Sequence, residues 1–153
     1  MPLDTWQRLI DLDLISASIC TKLVGGEMVR RSNGGGGINL ASIAGIIANR
    51  GIGGQGYERA EAAVIAVTRA PAADWAPHGV TVNAIASGGF RTDPNLRGQS
   101  IHPSIIATLK APLPMSEYGE PEGRAPRAVY PASDASRHMT GAVLVIDGGD
   151  TLG

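Results

Sequence analysis

The sequence predicts an α/β fold with a parallel sheet of about three strands, and three observations carry that prediction. Three short apolar runs, Ile38 to Ser42, Val80 to Ala86 and Ala142 to Ile146, are flanked by turn residues, as expected of buried strands. Helical apolar spacing fills the stretches before and after the first run. Strands separated by helices favour right-handed βαβ crossovers and hence parallel pairing. The 153 residues show no internal repeat or inter-domain linker, so residues 1–153 are expected to form a single domain.

Taken in order, Asp4 or Thr5 can cap a helix starting near Trp6. Leu9, Ile10, Leu12, Leu14, Ile15, Ile19, Leu23, Met28 and Val29 continue its stripe to about residue 30. Ser32-Asn33 and Gly34 to Gly37 are expected to end it. After the first strand a glycine-rich loop runs to Gly56. Tyr57 to Trp75 then reads as a helix apolar on most faces. Pro71 lies inside it, at a cost of about 3 kcal/mol if the helix continues. Val80 to Ala86 is followed by a Ser87-Gly88-Gly89 turn. Residues 90–120 read as a long loop with one short helix near Ser104 to Lys110. Pro121 can open a helix reaching about Tyr130. Asp147-Gly148-Gly149 closes the last strand.

Composition excludes several classes. The apolar fraction of 43% can build a core, but only 4% is aromatic, so that core must come from Ala, Val, Ile and Leu. A net charge of −1 gives no electrostatic case for nucleic acid or an anionic membrane. No run approaches the length of a membrane span, and the N-terminus lacks a signal-peptide pattern. Cys20 is the only cysteine, so no internal disulfide forms; it is expected to pack on the first helix, and a cytoplasmic protein is expected. His78, His102 and His138 share no ligand spacing, so no metal site is expected.

Gly51-Ile52-Gly53-Gly54-Gln55-Gly56 satisfies the G-x-G-x-x-G pattern before a helix, where glycines let backbone approach a pyrophosphate. Yet the nearest strand ends at Ser42, and no acid closes the following strand to hold a ribose. A surface loop is the simpler reading. Ser42 and Tyr57, fifteen residues apart with the tyrosine opening a helix, can form a proton-transfer site.

Several segments together resemble the C-terminal part of the short-chain dehydrogenase/reductase family. They are Asp11-Leu12-Asp13-Leu14, Gly37 to Gly45 with Ser42, Tyr57 to Glu61, Gly79 to Ile85 followed by Ser87-Gly88, Thr92, Gly119 to Glu122, Ala132-Ser133-Asp134, and Thr140-Gly141 with Asp147-Gly148-Gly149. Its gluconate-dehydrogenase-like and acyl-carrier-protein-reductase-like branches are the most similar, without a choice between them. The resemblance implies a truncated Rossmann-like, doubly wound fold and a cytoplasmic homo-oligomer. It also implies NAD or NADP as coenzyme and a small-molecule carbonyl or secondary alcohol as substrate. Carried over by position, Ser42 holds the substrate oxygen and Tyr57 moves the proton. Asp13 stands at the family's asparagine, Glu61 at its lysine, and Ser87, Gly88 and Thr92 beside the nicotinamide. The family's phosphate turn and coenzyme-selecting residue have no counterpart before Trp6, and the inner edge of the sheet is expected to lack a neighbour.

Glu61 is the main departure. Free tyrosine ionises near a pH of about 10. A unit charge about 4 Å away is worth on the order of 4 kcal/mol at an effective dielectric of about 20. A cation there favours tyrosinate; an ionised glutamate opposes it. Two functions follow: an NAD(P)-dependent oxidoreductase impaired in this chain, or a non-catalytic homologue acting only through self-association.

Overall fold

The computed structural model describes residues 1–48, 55–111, 113–123 and 125–152. Helix α1 occupies residues 3–31, with α-helical Leu3–Leu9, Ser16–Cys20 and Gly26–Arg31 separated by π-helical Ile10–Ile15 and Thr21–Gly25. It starts ahead of Trp6 because Pro2, fixed at φ −60°, already has a backbone suited to a helix entrance. Asp4 lies inside the first turn, where its carboxylate accepts the Thr5 N–H at 2.8 Å. Cys20 is exposed, contrary to the packing role expected of it.

Strand β1, Gly35–Ser42, begins earlier than the apolar run at Ile38. Gly35, Gly36 and Gly37 belong to the strand because each is in register with β2, Val80–Ser87, so ladder bonding overrides weak strand propensity. The pairing is parallel from Gly35↔Val80 to Ser42↔Ser87. Strand β3, Val143–Ile146, pairs parallel with the other side of β2, from Ala84↔Val143 to Ser87↔Ile146. The order β1-β2-β3 leaves β1 at an edge among the described residues, as the sequence predicts. Leu40 on that strand is 67% exposed.

Helix α2, Gln55–Trp75, continues through Pro71. The proline removes the N–H that would reach the Val67 carbonyl, so the helix bears the cost expected of it. Gly51 to Gly54 of the glycine fingerprint lie outside the described residues; Gly56 is buried at the start of α2 against Trp6 and Leu9. Small side chains let α1 and α2 approach the sheet. Ala41, Ile43, Val64, Ile65 and Ala86 form the core cluster, joined by Ala17, Ile47 and Val143. Val64, Val80 and Val82 are each almost wholly buried, each contributing on the order of 1.5–3 kcal/mol of transfer free energy.

The segment expected to be mostly loop contains two helices, α3 (Asp93–Ile101) and α4 (Pro103–Lys110). Pro94 and Pro103 lie in the first turns of these helices, where a missing N–H has no helical partner to lose. The helix expected from Pro121 is instead a 3-10 turn, Pro121–Gly123, and a short helix α5, Ala125–Val129. Among the described residues no helix is long and apolar enough to cross a membrane.

Buried polar side chains tie these elements together. Asn83, fully buried on β2, donates to the Met139 carbonyl at 3.0 Å and accepts the Ala142 N–H at 3.0 Å, holding the turn that leads into β3. Asn39 on β1 accepts from the Thr21 hydroxyl at 2.9 Å and donates to Thr68 of α2 at 3.1 Å. Both helices therefore lie on the Asn39 face of β1, opposite the exposed Leu40.

Candidate active site

The C-terminal ends of the three strands lie side by side, since Ser87 is in register with both Ser42 and Ile146. In parallel α/β sheets that end is where ligands bind. β1 stops at Ser42, whose hydroxyl accepts the Ala44 N–H at 3.1 Å and starts a 3-10 turn, Ile43–Gly45. The turn lies directly on α2. A Cβ at Gly45 would be 2.6 Å from the Ala62 nitrogen and 2.7 Å from the Glu61 carbonyl carbon, so only glycine permits this approach. That contact sets Ser42 against the first turns of α2, which carry Tyr57 and Glu61 one turn apart.

The four residues selected from the sequence as catalytic candidates meet here. Tyr57 is 41% exposed, whereas Glu61 is only 7% exposed. Asp13 comes from the π-helical segment of α1, which packs on α2. Partial burial raises the Tyr57 phenol above its usual range; a hydrogen bond with Ser42 pulls it down, while the Glu61 and Asp13 carboxyls push it further up. Burial also raises Glu61, Tyr57 lowers it by hydrogen bonding, Asp13 raises it by like charge, and the Ser42 backbone lowers it. Asp13 is raised by burial. Oδ2 of Asp13 and Oε2 of Glu61 are buried without a hydrogen-bond partner. The phenol therefore faces carboxyl groups that favour its protonated form.

The three residues assigned to the nicotinamide side are more dispersed. Ser87 lies beside Ser42, its hydroxyl reaching the Ala41 carbonyl at 3.4 Å. Gly88 donates its N–H to Ile146 at 2.8 Å, and a Cβ there would be 2.7 Å from the Asp147 Cα, so strand packing alone requires this glycine. Thr92 is bonded within its own turn, its N–H to Phe90 at 2.8 Å and its carbonyl to the Leu96 N–H at 2.9 Å.

Sequence reasoning missed the lining of a cavity of about 640 Å³ beside β3, formed in part by Phe90, Met115, Tyr118 and Asp147. Lys110 lies 5.1 Å above the Tyr118 ring and pairs with Glu117 at 2.8 Å. Phe90, Met115 and Tyr118 come from the segment read as loop, and the only signal for them was its aromatic content. Asp147, read as a turn residue, is a bonding centre: its carboxylate accepts the Gly149 N–H at 2.9 Å and the Thr151 N–H at 2.8 Å.

A parallel sheet flanked by helices, with a serine at one strand end and a tyrosine one packed turn away, places the chain among α/β proteins of Rossmann-like fold. The chain belongs to the short-chain dehydrogenase/reductase family, whose fold is Rossmann-like. A family profile described as Enoyl-(Acyl carrier protein) reductase matches residues 1–151. The chain is 36% identical over 148 residues to galactitol 2-dehydrogenase (L-tagatose-forming) of Cereibacter sphaeroides, covering 97% of this chain and 58% of that protein. It is 38% identical over 152 residues to a 3-oxoacyl-[acyl-carrier-protein] reductase of Synechocystis, covering 97% and 57%. A solved structure of a candidate NAD(P)-dependent gluconate 5-dehydrogenase from Beutenbergia cavernae, with NADP bound at low occupancy, superposes with a TM-score of 0.91 at 29% identity over 100% of this chain and 60% of that one. The chain thus spans about three-fifths of the length of these relatives, matching their C-terminal portion.

Among Ser87, Gly88 and Thr92, the glycine and the threonine have their backbone N–H groups bonded within the chain, which leaves the hydroxyls of Ser87 and Thr92 as the groups a nicotinamide could use. The corner beside Tyr57 does not suit a dinucleotide. Two carboxyl oxygens without donors occupy it, and carboxylates repel phosphate and lack the N–H donors an ammonium would supply.

Proposed function

We propose that the chain derives from an NAD(P)-dependent oxidoreductase acting on a small carbonyl or secondary alcohol, with Ser42 and Tyr57 as the acid-base pair, and that it is impaired in that role. The relatives are dehydrogenases and a reductase, which supports the lineage. The observation that carries the impairment is the buried Glu61 carboxyl against the Tyr57 phenol. Acting as a base requires tyrosinate, and both neighbouring carboxyls oppose its formation. Acting as an acid, Tyr57 would donate its proton to a carbonyl oxygen held by the Ser42 hydroxyl, a step the carboxyls penalise less directly. Any remaining activity is therefore expected to favour reduction.

Fluorescence titration with NADH and NADPH tests this reading. The wild-type chain should show no micromolar binding, and Glu61→Lys should increase both binding and carbonyl reduction. Tight coenzyme binding with turnover by the wild-type chain would overturn the impairment. An unchanged basal rate in Glu61→Lys would remove Glu61 from the site.

A second reading, a homologue that works only by self-association, is favoured by one observation. Leu12, Ile15, Ile19 and Leu23 follow one another along α1 at helical spacing and are 69%, 43%, 51% and 67% exposed. An apolar stripe of this kind is suited to helix packing between two copies. Sedimentation of the purified chain as a monomer at all accessible concentrations would reject it.

A further inference from the structure

Two carboxyl groups on different helices are brought together at Tyr57, and each leaves one buried oxygen without a donor. Glu61 is more than nine-tenths buried, and its Oε2 receives no donor from the protein. An unsatisfied buried acceptor is costly, and two like-charged acceptors side by side are more so. The arrangement is therefore short of positive charge and of hydrogen-bond donors.

We propose that Asp13, Tyr57 and Glu61 form a binding site for a small primary ammonium ion. A primary ammonium carries three N–H donors and a single positive charge. The corner offers the Asp13 Oδ2 and Glu61 Oε2 acceptors, and the phenol oxygen of Tyr57 supplies a third. Ser42 sits behind the phenol and bonds with it, which fixes the third acceptor in place. A divalent metal is a poorer match, because no group of three His, Cys, Asp or Glu side chains able to hold a metal occurs among the described residues. Tyr57 is 41% exposed and Asp13 is half-buried, so these two members of the set lie nearest the surface. The site needs no coenzyme and no redox turnover, so it stands independently of the oxidoreductase reading.

The test uses the intact chain and methylammonium chloride, with tetramethylammonium chloride at equal ionic strength as the control of equal charge but no N–H donors. The carboxyl-carbon NMR signals of Asp13 and Glu61 report binding directly. Methylammonium should move both signals saturably, and tetramethylammonium should move neither. Glu61→Gln, which keeps the shape but removes the charge, should weaken binding by about tenfold or more, with circular dichroism showing that the fold is retained. An equal response to the two cations overturns the site. So does a pair of signals already at the neutral-acid position and unmoved by methylammonium, because a proton then fills the gap. The comparison of two cations on the wild-type chain decides the matter even if the variant does not fold.

Discussion

Two carboxyl sites at the same end of the sheet have opposite fates. Asp147, just beyond β3, is half-buried, and burial alone would raise its pKa. Backbone N–H donors from Gly149 and Thr151, together with the Thr151 side chain, outweigh that burial and hold it below 3.8. Glu61, beyond β1, is buried more deeply, has an oxygen with no donor, and is raised above 4.5. The difference is the supply of donors, not the identity of the side chain. Asp147 closes a turn and contributes to the fold. Glu61 burdens the fold, as residues at functional sites often do.

The largest expected effect follows from removing that burden. Glu61→Gln should stabilise the chain by about 1–3 kcal/mol at neutral pH, the usual cost of an unsatisfied buried polar group. The pH dependence has a definite sign. A group whose folded pKa lies above its unfolded value contributes stability below the unfolded value, and that stability is lost as pH rises through the folded one. Wild-type stability should therefore fall as pH rises above 4.5, and the slope should flatten in Glu61→Gln. Denaturant unfolding at a series of pH values measures both. A wild-type stability that rises across the same window would contradict the placement of Glu61.

Asp147→Ala should act in the opposite direction, destabilising the chain by about 1–2 kcal/mol through loss of bonds to the Gly149 and Thr151 amides. Its folded pKa is depressed, so its contribution is present above 3.8 and lost as pH falls through the folded value. Acid unfolding should become less steep in the variant. A variant as stable as wild type would mean that solvent replaces those bonds at no cost.

The contrast also explains what could be read from the chain. Val80 to Ala86 was legible as a strand because it is apolar and buried on both faces. Gly35 to Gly37 were not, since nothing in a glycine run announces that β2 will hold it in register. Pro94 and Pro103 lie in the stretch read mostly as loop, yet both open helices, because a proline's effect depends on whether its N–H had a partner to lose. At the site, Ser42, Tyr57 and Glu61 were legible from spacing along β1 and α2. Asp13 was legible only through the family resemblance of Asp11 to Leu14; its meeting with Glu61 depends on how π-helical residues Ile10–Ile15 of α1 turn toward α2. The state of the carboxyl oxygens depends on donors contributed by other elements and became visible only in three dimensions.

The smallest expected effect separates the two carboxyls within the Glu61 corner. Asp13 is half-buried, so solvent screens it more than Glu61, and Asp13→Asn should change stability by less than about 1 kcal/mol. Its effect should appear instead in its neighbours. Asp13 raises both Glu61 and Tyr57 by like charge, so its neutralisation should lower the pKa of each. Carboxyl-carbon NMR of Glu61 and the ultraviolet absorbance of tyrosinate follow the two titrations separately. If Asp13→Asn leaves Glu61 titrating where it does in wild type, the two carboxyls do not share one site, and the contrast with Asp147 reduces to the burial of a single glutamate.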